Sequence, residues 1–260
     1  MTPDVWIAGA VALFAWWFST GAILLVVKRA DRGGPDSHRW AVLCSLFLLV
    51  IGVAIFVDTL GRANVSAVYA QFFAVLAIWG WIELAFLCGM ITGPITKPCP
   101  SRLRPGERFL RAWGVIAYHE LLLFVTCAAL CFTAVGAATP YGAAIFGLLF
   151  IARVSAKLNL FLGVPRINTE FLPLALSHVP SHFRIARMNV LFPVSVIGLG
   201  WITLWGAEHI IMATSRPDVI GYSLFTALAA LALLEHLFMV VPLPDAKLWR
   251  WLLPASGTDR

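Results

Sequence analysis

Charge is scarce in this chain. Asp, Glu, Lys and Arg make up 12% of 260 residues, against 60% hydrophobic ones. A soluble domain carries about 25% charged residues, so an ordinary water-exposed globular surface is excluded. No central gap has the character of a linker, and no repeat or low-complexity segment stands out, so residues 1–260 read as one domain. The five cysteines (Cys44, Cys88, Cys99, Cys127, Cys131) lack zinc-type CxxC spacing and are expected as reduced thiols. Cys127 and Cys131 share one helical face, a small-residue packing pattern. The first residues hold Asp4 and neither Lys nor Arg, so the expectation is a retained first span and not a cleaved signal peptide. Enzyme signatures are missing too: no H-E-x-x-H, nucleophile elbow, P-loop, Rossmann glycine pattern or di-iron E-x-x-H pair. The six histidines are too few for a His-rich membrane hydroxylase.

What fills the chain instead is seven apolar runs, at about 5–27, 40–60, 67–92, 112–135, 141–163, 189–213 and 220–242, each of the ~20 residues that cross a ~30 Å hydrocarbon core. The fold class is therefore all-α, a polytopic membrane protein of about seven transmembrane helices. Of the 19 Lys and Arg, 17 fall in alternate gaps: Lys28 to Arg39, Lys97 to Arg111, Arg153 to Arg187 and Lys247 to Arg260, with Arg62 and Arg216 alone on the other side. Basic loops stay cytoplasmic, which predicts an outside N-terminus, a cytoplasmic C-terminus and a long cytoplasmic loop at about 164–188. The net charge of +6 thus reads as a topology signal, with no nucleic-acid partner. Trp40, Trp113, Trp249 and Trp251 sit at span boundaries, where indoles favour the headgroups.

Ionisable residues inside the spans carry the chemistry. Counted from the cytoplasmic ends, Glu83, His119, Glu120, Arg153, Lys157, Glu235 and His236 fall in one slab about 9–15 Å deep. Charges at such depth face the bundle interior and find partners. One reading is a structural knot in which Arg153 and Lys157 neutralise two of Glu83, Glu120 and Glu235. The other is a polar pocket open to the cytoplasmic leaflet, with one carboxylate to spare. Glu83, His119, Glu120, Glu235 and His236 are also the candidate ligands of a di-iron site. Adjacent residues diverge by about 100° around a helix, so only one of each Glu–His pair is expected to face a common centre.

A second group, Glu170, His178 and His182, lies in the loop. H-x-x-x-H on a helix would present both imidazoles for metal ligation or an axial contact to a tetrapyrrole. Pro180 argues instead for a solvated interfacial loop. Asp58, Glu208 and His209 lie near the outer boundary and read as ordinary interfacial groups.

The stretches Lys157-Leu-Asn159-Leu-Phe-Leu-Gly163-Val and Leu234-Glu235-His236…Pro242-Leu-Pro-Asp245…Trp249-Arg-Trp251, with Glu83 and Tyr118-His119-Glu120, resemble the PuhE family, photosynthetic complex assembly protein 2 of phototrophic bacteria. The resemblance runs over most of the chain. It departs after Gly163, where Pro165-Arg166-Ile-Asn168 replaces the expected Arg-Asn-like continuation. It implies an assembly factor of the bacterial inner or intracytoplasmic photosynthetic membrane, handling or regulating bacteriochlorophyll or porphyrin precursors. The implied partners are membrane lipid, reaction-centre or light-harvesting subunits, and other assembly factors. On that footing His119, His236, His178 and His182 are the tetrapyrrole-contact candidates, and Glu83, Glu120, Arg153, Lys157 and Glu235 shape the pocket. Two alternatives stand beside it, a di-iron membrane enzyme acting on a tetrapyrrole or isoprenoid and a tetrapyrrole transporter.

Overall fold

The computed structural model describes residues 2–34, 36–167, 169 and 172–241. Asn168, Glu170 and the tail motif from Pro242 through Asp245, Lys247, Trp249, Arg250 and Trp251 to Arg260 lie outside the described residues. Eight α-helices follow in order: α1 (Pro3–Asp31), α2 (Ser37–Cys44), α3 (Leu46–Thr59), α4 (Val65–Leu87), α5 (Pro105–Thr133), α6 (Tyr141–Leu162), α7 (Leu191–Met212) and α8 (Arg216–Phe238). With α2 and α3 taken as one span, seven segments among the described residues are long and apolar enough to cross a membrane. The chain is an all-helical, multi-pass membrane protein.

The α2–α3 break has a local cause. The Val42 carbonyl, which a continuous helix would offer to a backbone N–H, accepts from Ser45 Oγ at 3.0 Å and Trp81 Nε1 at 3.2 Å. A serine that bonds back to its own helix bends it, and the indole of α4 holds the bend.

Span boundaries differ from the hydropathy reading where Gly and Pro decide them. α4 stops at Leu87, short of residue 92, because Gly89 turns the chain with φ +75°. α5 begins at Pro105, a turn or more before the apolar run, since Pro at the first position and Glu107 in the first turn suit a helix N-terminus.

α4 is the axis of the bundle. Its apolar window is 67% buried, against 17–39% for the other spans. Phe72, Val75, Trp79 and Ile82 pack into Phe146, Leu224 and Leu228 from α6 and α8, with Trp79 edge-on to Phe146 at 5.3 Å. The fully buried amide of Gln71 has partners for both ends: Nε2 donates to Thr139 Oγ1 at 3.0 Å and Oε1 accepts from Gly142 N at 3.1 Å. That satisfaction is what permits an amide there. At the same end, Arg216 of α8 makes a two-pronged ion pair with Asp4 of α1, at 2.8 and 2.9 Å.

The segment between α4 and α5 is stitched into α5. Thr92 O accepts from Tyr118 N at 2.9 Å and His119 N at 3.1 Å, while Gly114 O accepts from Ile95 N at 3.2 Å. These groups would otherwise close the ladder of α5. Backbone approaches so closely that a Cβ on Gly93 would lie 2.1 Å from Gly114 O.

The described residues of segment 164–188 combine exposed positions with packed ones. They form two short 3-10 turns (Leu174–Leu176 and Val179–His182), and Val164 bridges to Ile185. Leu176 and Val179 pack with Phe86 and Val115 in a satellite core. Pro180 stands inside the second turn, and the α-helix that would align His178 and His182 does not form.

Gly93→Ala is expected to undock the strap and lower the thermal midpoint in detergent, with a cost of about 1–3 kcal/mol. Gly106→Ala, where a Cβ meets nothing within 4 Å, is the control and leaves the midpoint unchanged.

Candidate functional site

Four of the seven spans deliver ionisable side chains to one level of the bundle. From α4, Glu83 Oε2 receives Arg153 Nη2 of α6 at 2.5 Å. One turn on, Lys157 of α6 pairs with Glu120 of α5, and its Nζ also donates to His119 Nδ1 at 3.1 Å. That donation places the ring proton on His119 Nε2, which faces Glu83 Oε1 across 3.7 Å, beyond hydrogen-bond reach. His119 Nδ1 lies 3.4 Å from Glu120 Oε1, so both members of this adjacent pair join one cluster despite their angular divergence. His119 itself is fully buried, with its ring 4.3 Å from that of Phe86.

The third carboxylate is set apart. Glu235 of α8 accepts from Trp16 Nε1 of α1 at 3.1 Å and has no ion pair among the described residues. Its neighbour His236 donates from Nδ1 to Ala232 O at 2.8 Å, leaving Nε2 as acceptor for Ser155 Oγ at 3.0 Å. The knot foreseen from sequence therefore takes a definite form: Arg153 with Glu83, Lys157 with Glu120, and Glu235 held by an indole.

These groups border a cavity of about 1100 Å³ among α1, α4, α5, α6, α8 and the loop. Its walls are mainly apolar, including Trp17, Leu76, Phe124 and Phe161. Its polar lining includes Glu83, Glu120, Arg153, Lys157, Glu235 and His236, with Arg166 and His182 from the loop. His119 stands behind this wall, outside the lining. His178 faces a separate small recess with Thr92, Thr96 and Ser177, so the two loop histidines do not share a site.

Around His182 the hydrogen bonds assign the protons. Ser181 Oγ donates to His178 O at 2.6 Å and so accepts from His182 Nδ1 at 3.2 Å. Burial holds both His178 and His182 below the ordinary imidazole range. Arg108 braces the same loop, donating to His182 O at 3.0 Å and Phe161 O at 3.1 Å with its guanidinium 4.3 Å above the Phe161 ring.

No three His, Cys, Asp or Glu side chains converge as a metal cage among the described residues. Glu83 and Glu120 face opposite nitrogens of His119, and each is held by a cation, an arrangement unlike a di-iron ligand set. At the far side, Asp58 pairs with Arg62 at 2.7 Å on the surface, while His209 makes tilted ring contacts with Trp205 and Tyr222. Sequence reasoning passed over Trp16, Ser155 and Asn159. The last is fully buried and bonds Ser155 O and Ser195 Oγ, tying α6 to α7. An Asn inside an apolar run was the available signal; Trp16, at the centre of the first run, gave no sign of its partner on α8.

A family model described as "Protein of unknown function (DUF3623)" matches residues 2–260. The chain belongs to this family. A Rhodobacter capsulatus protein, described as an uncharacterized 30.4 kDa protein in the puhA 5′ region, is 47% identical over 253 residues, covering 96% of this chain and 91% of its own length. No solved structure matches.

Two outcomes follow for this DUF3623 chain. Glu83→Gln or Arg153→Leu alone strands the partner charge and should destabilise by about 3–5 kcal/mol. The double variant should recover at least about 1 kcal/mol of the summed loss in detergent unfolding, whereas additive losses would show that the pair is not coupled. For His178 and His182, whose folded values are lowered, the unfolded state binds more protons below about pH 6.5. Loop stability is thus complete above that pH and falls as the pH drops toward the folded values. The protection factors of the Ala186 and Val164 amides, taken relative to the intrinsic exchange rate at each pH, should fall on acidification, and less so in His182→Ala.

Proposed function

We propose that this protein is an assembly factor of a photosynthetic membrane that holds bacteriochlorophyll or one of its porphyrin precursors within the bundle. The observation that carries this reading is the cavity. At about 1100 Å³ it is at the upper end of small-molecule sites, which span about 300–1000 Å³. Its walls are mainly apolar and aromatic, with a minority of polar groups among them. A large, mostly apolar molecule with a few polar points suits such a space; an ion or a small polar metabolite does not.

The relative in the puhA 5′ region supports the setting, since puhA marks a photosynthesis reaction-centre gene region. The likeness of Lys157–Val164 and of the Glu235-His236 stretch to the PuhE family points the same way. By the positive-inside rule the basic gaps face the cytoplasm, with the N-terminus outside, in the bacterial inner membrane or its intracytoplasmic extension. The ligand would then enter from the cytoplasmic leaflet. Arg166, which lines the cavity in the loop, is suited to a propionate of an unesterified precursor. The lipid-facing sides of α2–α3 and α7 (Phe47, Val50, Ile197, Trp201, Leu204) are long enough for single-span antenna or reaction-centre helices to pack against.

The test is purification in mild detergent from a phototrophic host, with the absorption spectrum and metal content read together. A chlorin or porphyrin band at about one per chain is expected, reduced several-fold in Glu120→Gln with insertion intact. Iron at about two per chain without pigment would instead favour the di-iron enzyme. A preparation with neither pigment nor iron would overturn the pigment reading.

A further inference from the structure

The pigment reading leaves open which side chain takes the metal centre of the macrocycle, and the geometry separates the candidates. His119 is wholly buried behind the cavity wall and engaged by Lys157. His178 opens on another recess. His236 has both ring nitrogens committed, to Ala232 O and Ser155 Oγ. His182 Nε2 lacks a partner but is sealed from the cavity surface, with less than 1 Å² accessible. Imidazole is the habitual first choice for this role, and here each imidazole is hidden, spoken for or elsewhere.

Glu235 has the opposite character. It lines the cavity, is exposed to it, and lies in the last turn of α8. One oxygen, Oε1, is fixed by Trp16 Nε1–H; among the described residues Oε2 has no hydrogen bond. A carboxylate with one oxygen anchored and the other free is the arrangement of a ligand oriented by an outer-shell donor. Magnesium is a hard cation that prefers oxygen ligands, carboxylate above all. The pairs Arg153–Glu83 and Lys157–Glu120 use up both cations of the cluster, which leaves Glu235 as the carboxylate whose charge a ligand can balance.

We propose that Glu235, oriented by Trp16, is the axial ligand through which the cavity holds the magnesium of a chlorin or porphyrin. This rests on the pigment reading above. The bond is a dative one from Oε2 to the metal; no electron or proton is transferred, and the Trp16 hydrogen bond stays in place. It also confers selectivity. A magnesium macrocycle gains a bond that its metal-free form cannot make, so the site distinguishes metallated from unmetallated pigment precursors.

The experiment titrates the full chain in detergent with magnesium protoporphyrin dimethyl ester and with the metal-free ester, following the Soret band and tryptophan quenching. The wild-type chain should bind the magnesium form about 10–100-fold more tightly, with a Soret shift marking axial ligation. Glu235→Ala should bind both forms equally and lose the shift. Trp16→Phe should retain binding with the preference cut by about tenfold. His178→Ala, at the separate recess, and His209→Ala, at the far side, should keep the preference, which shows that its loss is not a general effect of removing a polar side chain. If Glu235→Ala keeps both preference and shift, or if the wild-type chain binds both esters alike, the assignment to Glu235 is wrong while the pigment reading stands. If neither ester binds the wild-type chain, the pigment reading fails and this assignment fails with it.

Discussion

Charge in hydrocarbon is the constraint on which this structure turns. An unpaired ion at the depth of Glu83 or Lys157 costs several kcal/mol, so any helix that carries one must place it against a partner on another helix. Two such pairs, Glu83 with Arg153 and Glu120 with Lys157, join α4 and α5 to α6 at one level. Apolar packing alone gives little direction in lipid, where side chains are as comfortable against acyl chains as against one another. The ion pairs supply that direction. They set the rotation of three helices about their axes and leave His119 enclosed between the two carboxylates.

The cavity follows from how these pairs are supported. α4 is the most buried span and is packed against α6 and α8. α5 is held by the backbone strap at Thr92–Ile95, whose carbonyl and amide groups bond into its side immediately before His119. Gly93 and Gly114 make that approach sterically available. With α5 fixed at its basic end and α1 bound to α8 through Trp16–Glu235 and Asp4–Arg216, an apolar space stays open between them. The polar cluster is thus both a brace and one wall of the site.

Much of this was legible in the sequence. Apolar run length and the alternation of basic gaps identify seven spans, because hydrocarbon thickness and backbone satisfaction leave few other solutions. Depth counting brought Glu83, His119, Glu120, Arg153 and Lys157 to one level, since each helix rises at a constant rate. Which acid meets which base was not legible, because helix rotation depends on neighbours that hydropathy does not name. The isolation of Glu235 depends on Trp16, 219 residues away in the chain. The strap and the packed loop were missed for a related reason: backbone-to-backbone contacts leave only Gly93, Gly114 and Pro180 as traces, and those residues read equally well as ordinary turns.

The central claim is that the charge-braced bundle encloses a binding space for one large apolar molecule. Native mass spectrometry of the protein released from detergent, as isolated from a phototrophic host, addresses it directly. The account predicts a single tetrapyrrole-mass adduct on the wild-type chain that is absent from Ala112→Trp, whose indole would project into the cavity from α5. A bare chain, or the same adduct on both proteins, would contradict it.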